Sequence, residues 1–154
     1  MLPAEVVDQL AGPPVADTWE PVFPLLTVDP GGEPRVCLLS RAELVPRSGA
    51  VLCALRSRRT TANLRRTGIA VLQVVTGTVS WSVRTRIGRE IADLGGLAVE
   101  LLVTDVERDT LGIPLRPMTC LADAALAATE RWDDNAVLFA RLAAERDTAE
   151  ETRS

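Results

Sequence analysis

Turn-forming Pro and Gly residues divide the middle of this 154-residue chain into short apolar segments. These residues occur in clusters at 29–34 and 46–49 and in pairs at 76–77 and 95–96. A hairpin turn at each of these places needs a residue with a fixed or left-handed φ. Apolar runs between such turns are typical of antiparallel strands. The pattern predicts six strands, at 22–28, 35–45, 50–55, 69–75, 78–87 and 97–106.

Helices are predicted at both ends of the chain and at one point inside it, where a short helix follows the third strand and ends near Gly68. The connector at 107–120 should be extended because Pro114 and Pro117 forbid a regular helix. The other predicted elements are a leading helix at 4–11, a short helix or turn at 90–94, two C-terminal helices at 124–130 and 135–146 (within 121–146), and a fraying charged tail at 147–154.

Six hairpin-linked strands with inserted and terminal helices predict an α+β fold, a small antiparallel barrel forming a single domain over 1–154. An apolar fraction of 47% agrees with a globular chain that buries a core. Sheet edges and apolar outer faces of such a barrel favour association with a second subunit.

The sequence contains no His, Lys or Tyr. Without imidazole there is no Ser-His-Asp or Cys-His couple, and without lysine there is no Schiff base or phosphate-loop lysine. An enzyme of this composition depends on a bound cofactor for its reactivity, while the protein supplies position and electrostatics.

A net charge of −4 and 3% aromatic residues argue against a nucleic-acid-binding surface, although five arginines lie within 56–66. Because the sequence shows neither a secretory leader nor an apolar run long enough to cross a membrane, we expect a soluble cytoplasmic protein. The three widely spaced cysteines, Cys37, Cys53 and Cys120, are expected to be buried reduced thiols, with no metal site.

The densest chemistry lies between Leu55 and Leu64, where an apolar strand runs through arginines and hydroxyl groups into a helix. With Thr60 or Thr61 as N-cap, the first helical amides would point outward, and Arg58 and Arg59 would add positive charge. Such an arrangement is a site for a phosphate. The alternative is an ordinary helix cap beside solvated arginines.

The order of these segments, with 22–36 followed by Arg58 to Leu64, resembles the pyridoxamine 5′-phosphate oxidase-like, FMN-binding split-barrel superfamily, flavin reductase and F420-related members included. The resemblance covers roughly 4–106. It implies a homodimer of six-stranded split β-barrels with a flavin site at each subunit interface. The family pattern Arg-x-Val-Leu-Leu-Lys falls at 35–40, which keeps Arg35 and puts Ser40 in place of lysine, so oxidation of pyridoxamine phosphate is not expected.

The resemblance also supplies candidate cofactor-binding residues. It implies that Arg59, Thr60 and Asn63 hold the FMN phosphate, that Arg35 contributes charge, and that the main chain of the third strand faces the isoalloxazine. The full candidate set is Arg35, Ser40, Cys53, Ala54, Arg58, Arg59, Thr60, Thr61 and Asn63, with no catalytic residue assigned.

Two functions remain open on this basis. The first is a flavin-dependent oxidoreductase acting on a small molecule, with FMN as cofactor and F420 as the alternative. The second is a non-catalytic split-barrel dimer that binds flavin, haem or nothing, because fold alone does not decide function.

Overall fold

The computed structural model describes residues 1–151. The strands are β1 Trp19–Pro21, β2 Phe23–Val28, β3 Pro34–Leu39, β4 Leu44–Arg47, β5 Ala50–Leu55, β6 Ile69–Thr76, β7 Val79–Asp93, β8 Gly96–Thr110 and β9 Thr119–Leu121. The helices are α1 Ala4–Leu10, α2 Arg58–Thr67, α3 Ala124–Thr129 and α4 Trp132–Glu151. Within the described residues, seven strands form one curled antiparallel sheet in the order β3-β2-β6-β7-β8-β5-β4. The predicted α+β split barrel is confirmed.

The predicted strand at 35–45 is in fact two strands, β3 and β4, which lie at opposite edges of the main sheet. A tight turn separates them, in which the Glu43 N–H donates to the Ser40 carbonyl at 3.1 Å. The Glu43 carboxylate in turn accepts the Ser40 N–H at 2.5 Å. Because this turn contains neither Pro nor Gly, the sequence pattern does not reveal it. The break gives the sheet seven strands where six were predicted.

Strands β7 and β8 extend further than predicted and form the longest hairpin of the sheet, from the pair Val79 and Thr110 to the pair Asp93 and Gly96. Of the segment 90–94, predicted as a short helix or turn, residues 90–93 continue β7 and Leu94 lies in the turn. Two register shifts, after Arg84 and Ile87, allow the hairpin to bend with the barrel. The turn itself uses positive φ at Leu94 (50°) and Gly95 (74°), one residue earlier than predicted.

The C-terminal segment returns to the barrel through β9, which pairs with β1. Neither strand was predicted, because three residues are too few to show a period. Helix α3 matches its predicted position, whereas α4 begins before the predicted 135 and continues past the predicted 146 to Glu151. The end of the predicted fraying tail, 152–154, lies outside the described residues.

Two clusters of buried side chains hold these layers together, and β5 contributes to both because all of its side chains are buried. The larger cluster fills the barrel and includes Phe23, Leu25, Leu72, Val83 and Leu101. The smaller lies beneath α4, where Leu138, Phe139 and Leu142 pack on Leu52, Ala54, Ile91 and Ala98. Burial of this apolar surface is the main contribution to stability.

Helix α2 carries most of the candidate site, and both of its ends are fixed by capping residues. At the N-terminus the cap is Ser57, whose Oγ accepts the Thr60 N–H at 3.3 Å, rather than Thr60 or Thr61 as predicted. At the C-terminus Gly68 adopts the predicted left-handed conformation, with φ of 72°, and its N–H donates to the Leu64 carbonyl.

Gly68→Ala should therefore destabilise the protein by about 1 kcal/mol, because a side chain strains the left-handed backbone. The loss comes from the backbone alone, since an added Cβ would lie 3.6 Å from the Ile87 side chain, an ordinary contact. Urea unfolding measures the change. Gly68→Asn is the matched control and should lose less stability, because asparagine tolerates this conformation. Equal losses would contradict the assignment.

Candidate functional site

The first turn of α2 is closed by its own hydrogen bonds. Ser57 accepts the Thr60 N–H through its Oγ and the Thr61 N–H through its carbonyl, at 3.0 Å. The Thr60 hydroxyl donates to Ser57 Oγ at 3.0 Å, and the Thr60 side chain is fully buried. Thr60 therefore fixes the geometry of this turn within the chain, and the exposed cations left there are Arg58 and Arg59.

Helix α2 is attached to the barrel by a buried side-chain hydrogen bond, which Asn63 Nδ2 donates to Thr27 Oγ1 at 3.2 Å. Thr27 on β2 is the cross-strand partner of Arg35 on β3. Two residues further along β3, the Cys37 thiol interacts with the Thr60 hydroxyl. The structure thus brings together Arg35, Thr60 and Asn63, three of the residues that the resemblance implied, and we call this place the β3–α2 junction.

Arg35 has an unusual environment at the β3–α2 junction. Its Nε is buried and has no hydrogen-bond partner among the described residues, although its side chain as a whole is only half-buried. A buried guanidinium N–H without an acceptor costs free energy, so such groups are uncommon in folded proteins. The junction therefore lacks an acceptor at this atom, and an anion would supply it.

Arg58 and Thr61 lie elsewhere, in a cleft of about 650 Å³ between α2 and the turn that joins β7 to β8. Two other arginines of this cleft are already engaged. Arg56 donates to the Leu94 carbonyl at 2.8 Å and to Asn135 Oδ1 at 2.7 Å, and Arg65 pairs with Glu90 at 3.0 Å. These bonds hold the cleft together, while Arg58 stays exposed and the buried Arg56 Nε, like that of Arg35, has no acceptor among the described residues.

Ser40 lies in a third place, a cavity of about 410 Å³ that we call the Glu43 cavity. The Ser40 N–H and hydroxyl both donate to Glu43 Oε2. Burial raises the pKa of Glu43 and nearby Glu130 raises it further, although the hydrogen bonds from Ser40 lower it in part. Sequence reasoning missed Glu43, whose one signal is a lone carboxylate between Leu39 and Leu44.

Cys53 and Ala54 are buried on β5 between β4 and β8, and the Ala54 N–H donates to the Glu43 carbonyl at 2.9 Å. Neither side chain is accessible on this chain. All three cysteines are free, but Cys37 and Cys120 are half-buried rather than buried as expected. Burial raises the pKa of each thiol, most strongly for Cys53.

No family model and no curated protein matches the sequence. Solved structures do match its fold. The flavin reductase of styrene monooxygenase from Pseudomonas putida S12 is 10% identical, with a TM-score of 0.53 over 69% of this chain and 88% of that one. A homologue of nitrilotriacetate monooxygenase component B from Mycobacterium thermoresistibile is 11% identical, with a TM-score of 0.54 over 69% and 78%.

An F420 reductase is 12% identical, with a TM-score of 0.50 over 62% of this chain and 98% of that one. Likeness at this identity shows the fold alone: the chain shares the fold of these three proteins, an α+β split barrel. Among the described residues, no helix combines the length and apolar composition that crossing a membrane requires. The same residues contain no group of three or more potential metal ligands.

Thiol labelling tests the placement of the cysteines. In native protein at pH 7, we expect Cys53 to react with a maleimide only as fast as the protein unfolds, because its thiol is fully buried. Cys37 and Cys120 should react slowly, since burial disfavours their thiolates. Mass spectrometry of peptides gives each rate, and protein unfolded in guanidinium is the control. Rapid native labelling of Cys53 would show that β5 is placed wrongly.

Proposed function

We propose that this chain binds a flavin nucleotide by its phosphate at the β3–α2 junction and acts as a flavin-dependent oxidoreductase on a small molecule. The observation that supports this most strongly is the buried Arg35 Nε without an acceptor. A phosphate oxygen is a strong acceptor for a guanidinium N–H, and its charge matches the arginine.

The residues of the junction fit such a group in distinct roles. Arg35 binds the phosphate directly, and Arg59, exposed on the first turn of α2, adds charge together with the positive end of the helix. Thr60 and Asn63 position these groups, because their own hydrogen bonds to Ser57 and Thr27 are complete within the chain. The other candidates contribute to the proposed site through the backbone at most. Arg58 and Thr61 lie in the neighbouring cleft, and Cys53 and Ala54 are buried within β5.

The composition suits this function. A flavin supplies hydride transfer when bound, so the chain need not provide the His, Lys or Tyr that other mechanisms require. The named neighbours include both flavin reductases and an F420 reductase, and these support FMN and F420 about equally as the cofactor. Colour and mass of the molecule that copurifies with the protein would distinguish the two.

A second copy of the chain completes the proposed site. Among the described strands β3 pairs only with β2, so its other edge is open. Val36, which projects from the outer face of β3, is 54% exposed. An open edge beside exposed apolar side chains favours association, and β3 also carries Arg35. The homodimer would therefore place a partner close to the bound flavin.

A non-catalytic flavin-binding dimer is the alternative. Two observations favour this alternative, because each leaves fewer groups to contact a ligand. Ser40 stands where the family has lysine, and Thr60 and Asn63 already make side-chain hydrogen bonds within the chain. The test is reduction of the flavin-loaded protein by a reduced nicotinamide. Loss of the yellow colour supports the oxidoreductase, and a flavin that binds but is never reduced supports the alternative.

Arg35→Ala tests the phosphate site. We expect it to weaken FMN binding by about 2 kcal/mol, because it removes a charge-assisted hydrogen bond to the phosphate. Riboflavin, which lacks the phosphate, should bind wild type and variant alike. Fluorescence titration gives both affinities. The matched control is Arg47→Ala, an exposed arginine on edge strand β4, which should change neither affinity. Equal weakening of FMN and riboflavin would contradict a phosphate contact at Arg35.

A further inference from the structure

We propose that the Glu43 cavity is a second ligand site, separate from the β3–α2 junction, that binds a compact organic cation with an apolar body. The cavity lies between the end of β3, strand β9 and the region of α3 and α4, and its volume of about 410 Å³ is that of a small-molecule site. The inference does not depend on flavin binding, because Ser40 is the one residue that this cavity shares with the candidate cofactor-binding set and none of Arg35, Thr60 and Asn63 lines it.

The walls of the Glu43 cavity are largely apolar. Val22, Leu38, Met118 and Leu126 line it. Met118 remains more than half exposed, at 53%, so it keeps apolar surface in contact with solvent. Burying hydrocarbon against these side chains would be favourable by roughly 25 cal/mol per Å². The ligand should therefore carry an alkyl or aromatic body.

The charged groups that line the cavity are both acidic. Glu43, only 6% exposed, is held in place because both donors of Ser40 bind one of its oxygens, and Glu130 also lines the cavity. None of the described residues that line it is an arginine. A buried carboxylate without a cation is costly, so a ligand that brings positive charge relieves this cost. An anion such as a flavin phosphate would be repelled here.

Trp132 supports the same ligand chemistry. Its indole ring lines the cavity, and its Nε1–H lies beside the Glu43 carboxylate. That N–H is a donor and offers no contact to a cation, so only the ring contributes to the proposed binding. Aromatic faces attract cations, and more strongly where water is excluded. A metal ion fits less well, since the described residues contain no group of three potential metal ligands. A protonated amine on an apolar body uses the acidic groups, the indole ring and the apolar walls together.

Three probes of similar size and different charge test this proposal: 2-phenylethylammonium, neutral 2-phenylethanol and anionic 3-phenylpropionate. We expect isothermal titration at pH 7.5 to show binding of the cation, binding of the alcohol weaker by about tenfold or more, and no binding of the anion. Equal binding of cation and alcohol, or no binding of the cation, would overturn the proposal.

Two variants locate the binding. Glu43→Gln should weaken the cation by about tenfold and leave the alcohol unchanged, because the amide keeps the shape and can still accept from Ser40. Glu33→Gln, the same charge change in the exposed turn between β2 and β3, is the matched control and should have no effect. Leu126→Trp should abolish binding of both probes by filling the cavity. Circular dichroism confirms folding of each variant, and undiminished binding in Glu43→Gln or Leu126→Trp would contradict this location.

Discussion

The attachment of α2 to the barrel is the contact on which the candidate site depends. One buried hydrogen bond, from Asn63 to Thr27, joins the helix to β2, and Thr27 pairs across the sheet with Arg35. If this bond were absent, two buried polar side chains would lack partners, which costs more than the bond itself contributes. The same bond helps to keep α2 beside the barrel, together with the buried Leu64 side chain and the bond from Arg66 to the Val28 carbonyl.

That attachment leaves Arg35 with a buried N–H that the chain does not satisfy. Its neighbours Thr60 and Asn63 each make a side-chain hydrogen bond within the chain, which restricts their rotamers before any ligand arrives. A rigid site loses little conformational entropy on binding, which favours affinity. A chain without His, Lys or Tyr gains most from such a site if the bound molecule is itself reactive.

Sequence patterns were sufficient for the parts of this fold that Pro and Gly delimit. The hairpin turn at 29–34, the left-handed Gly68 and the inserted helix could be predicted because local sequence determines them. The break at 40–43 could not, because it depends on the buried Glu43 carboxylate bonding back to Ser40, a tertiary arrangement without turn residues. Strands β1 and β9 were too short to show a period, and each exists through pairing with the other.

The candidate site was predicted in the same uneven way. The resemblance implied Arg35, Thr60 and Asn63 as cofactor-binding residues, and the structure places them close together, while their binding of a cofactor stays a prediction. Ser57 as the cap was missed because three hydroxyl residues, Ser57, Thr60 and Thr61, compete near the start of α2 and sequence alone does not choose among them. The remaining candidate residues lie in three places: a cleft, a cavity and a buried strand. The sequence could not predict these positions, because they depend on the direction of each side chain and not on its spacing along the chain.

The most direct measurement is the arginine side-chain region of a ¹H–¹⁵N NMR spectrum during titration with FMN and, separately, with riboflavin. If Arg35 Nε–H donates to the flavin phosphate, its resonance shifts strongly with FMN and stays unchanged with riboflavin. If the Arg35 resonance is unaffected by FMN while those of Arg58 or Arg65 shift, the phosphate lies in the neighbouring cleft and the account of the β3–α2 junction is wrong.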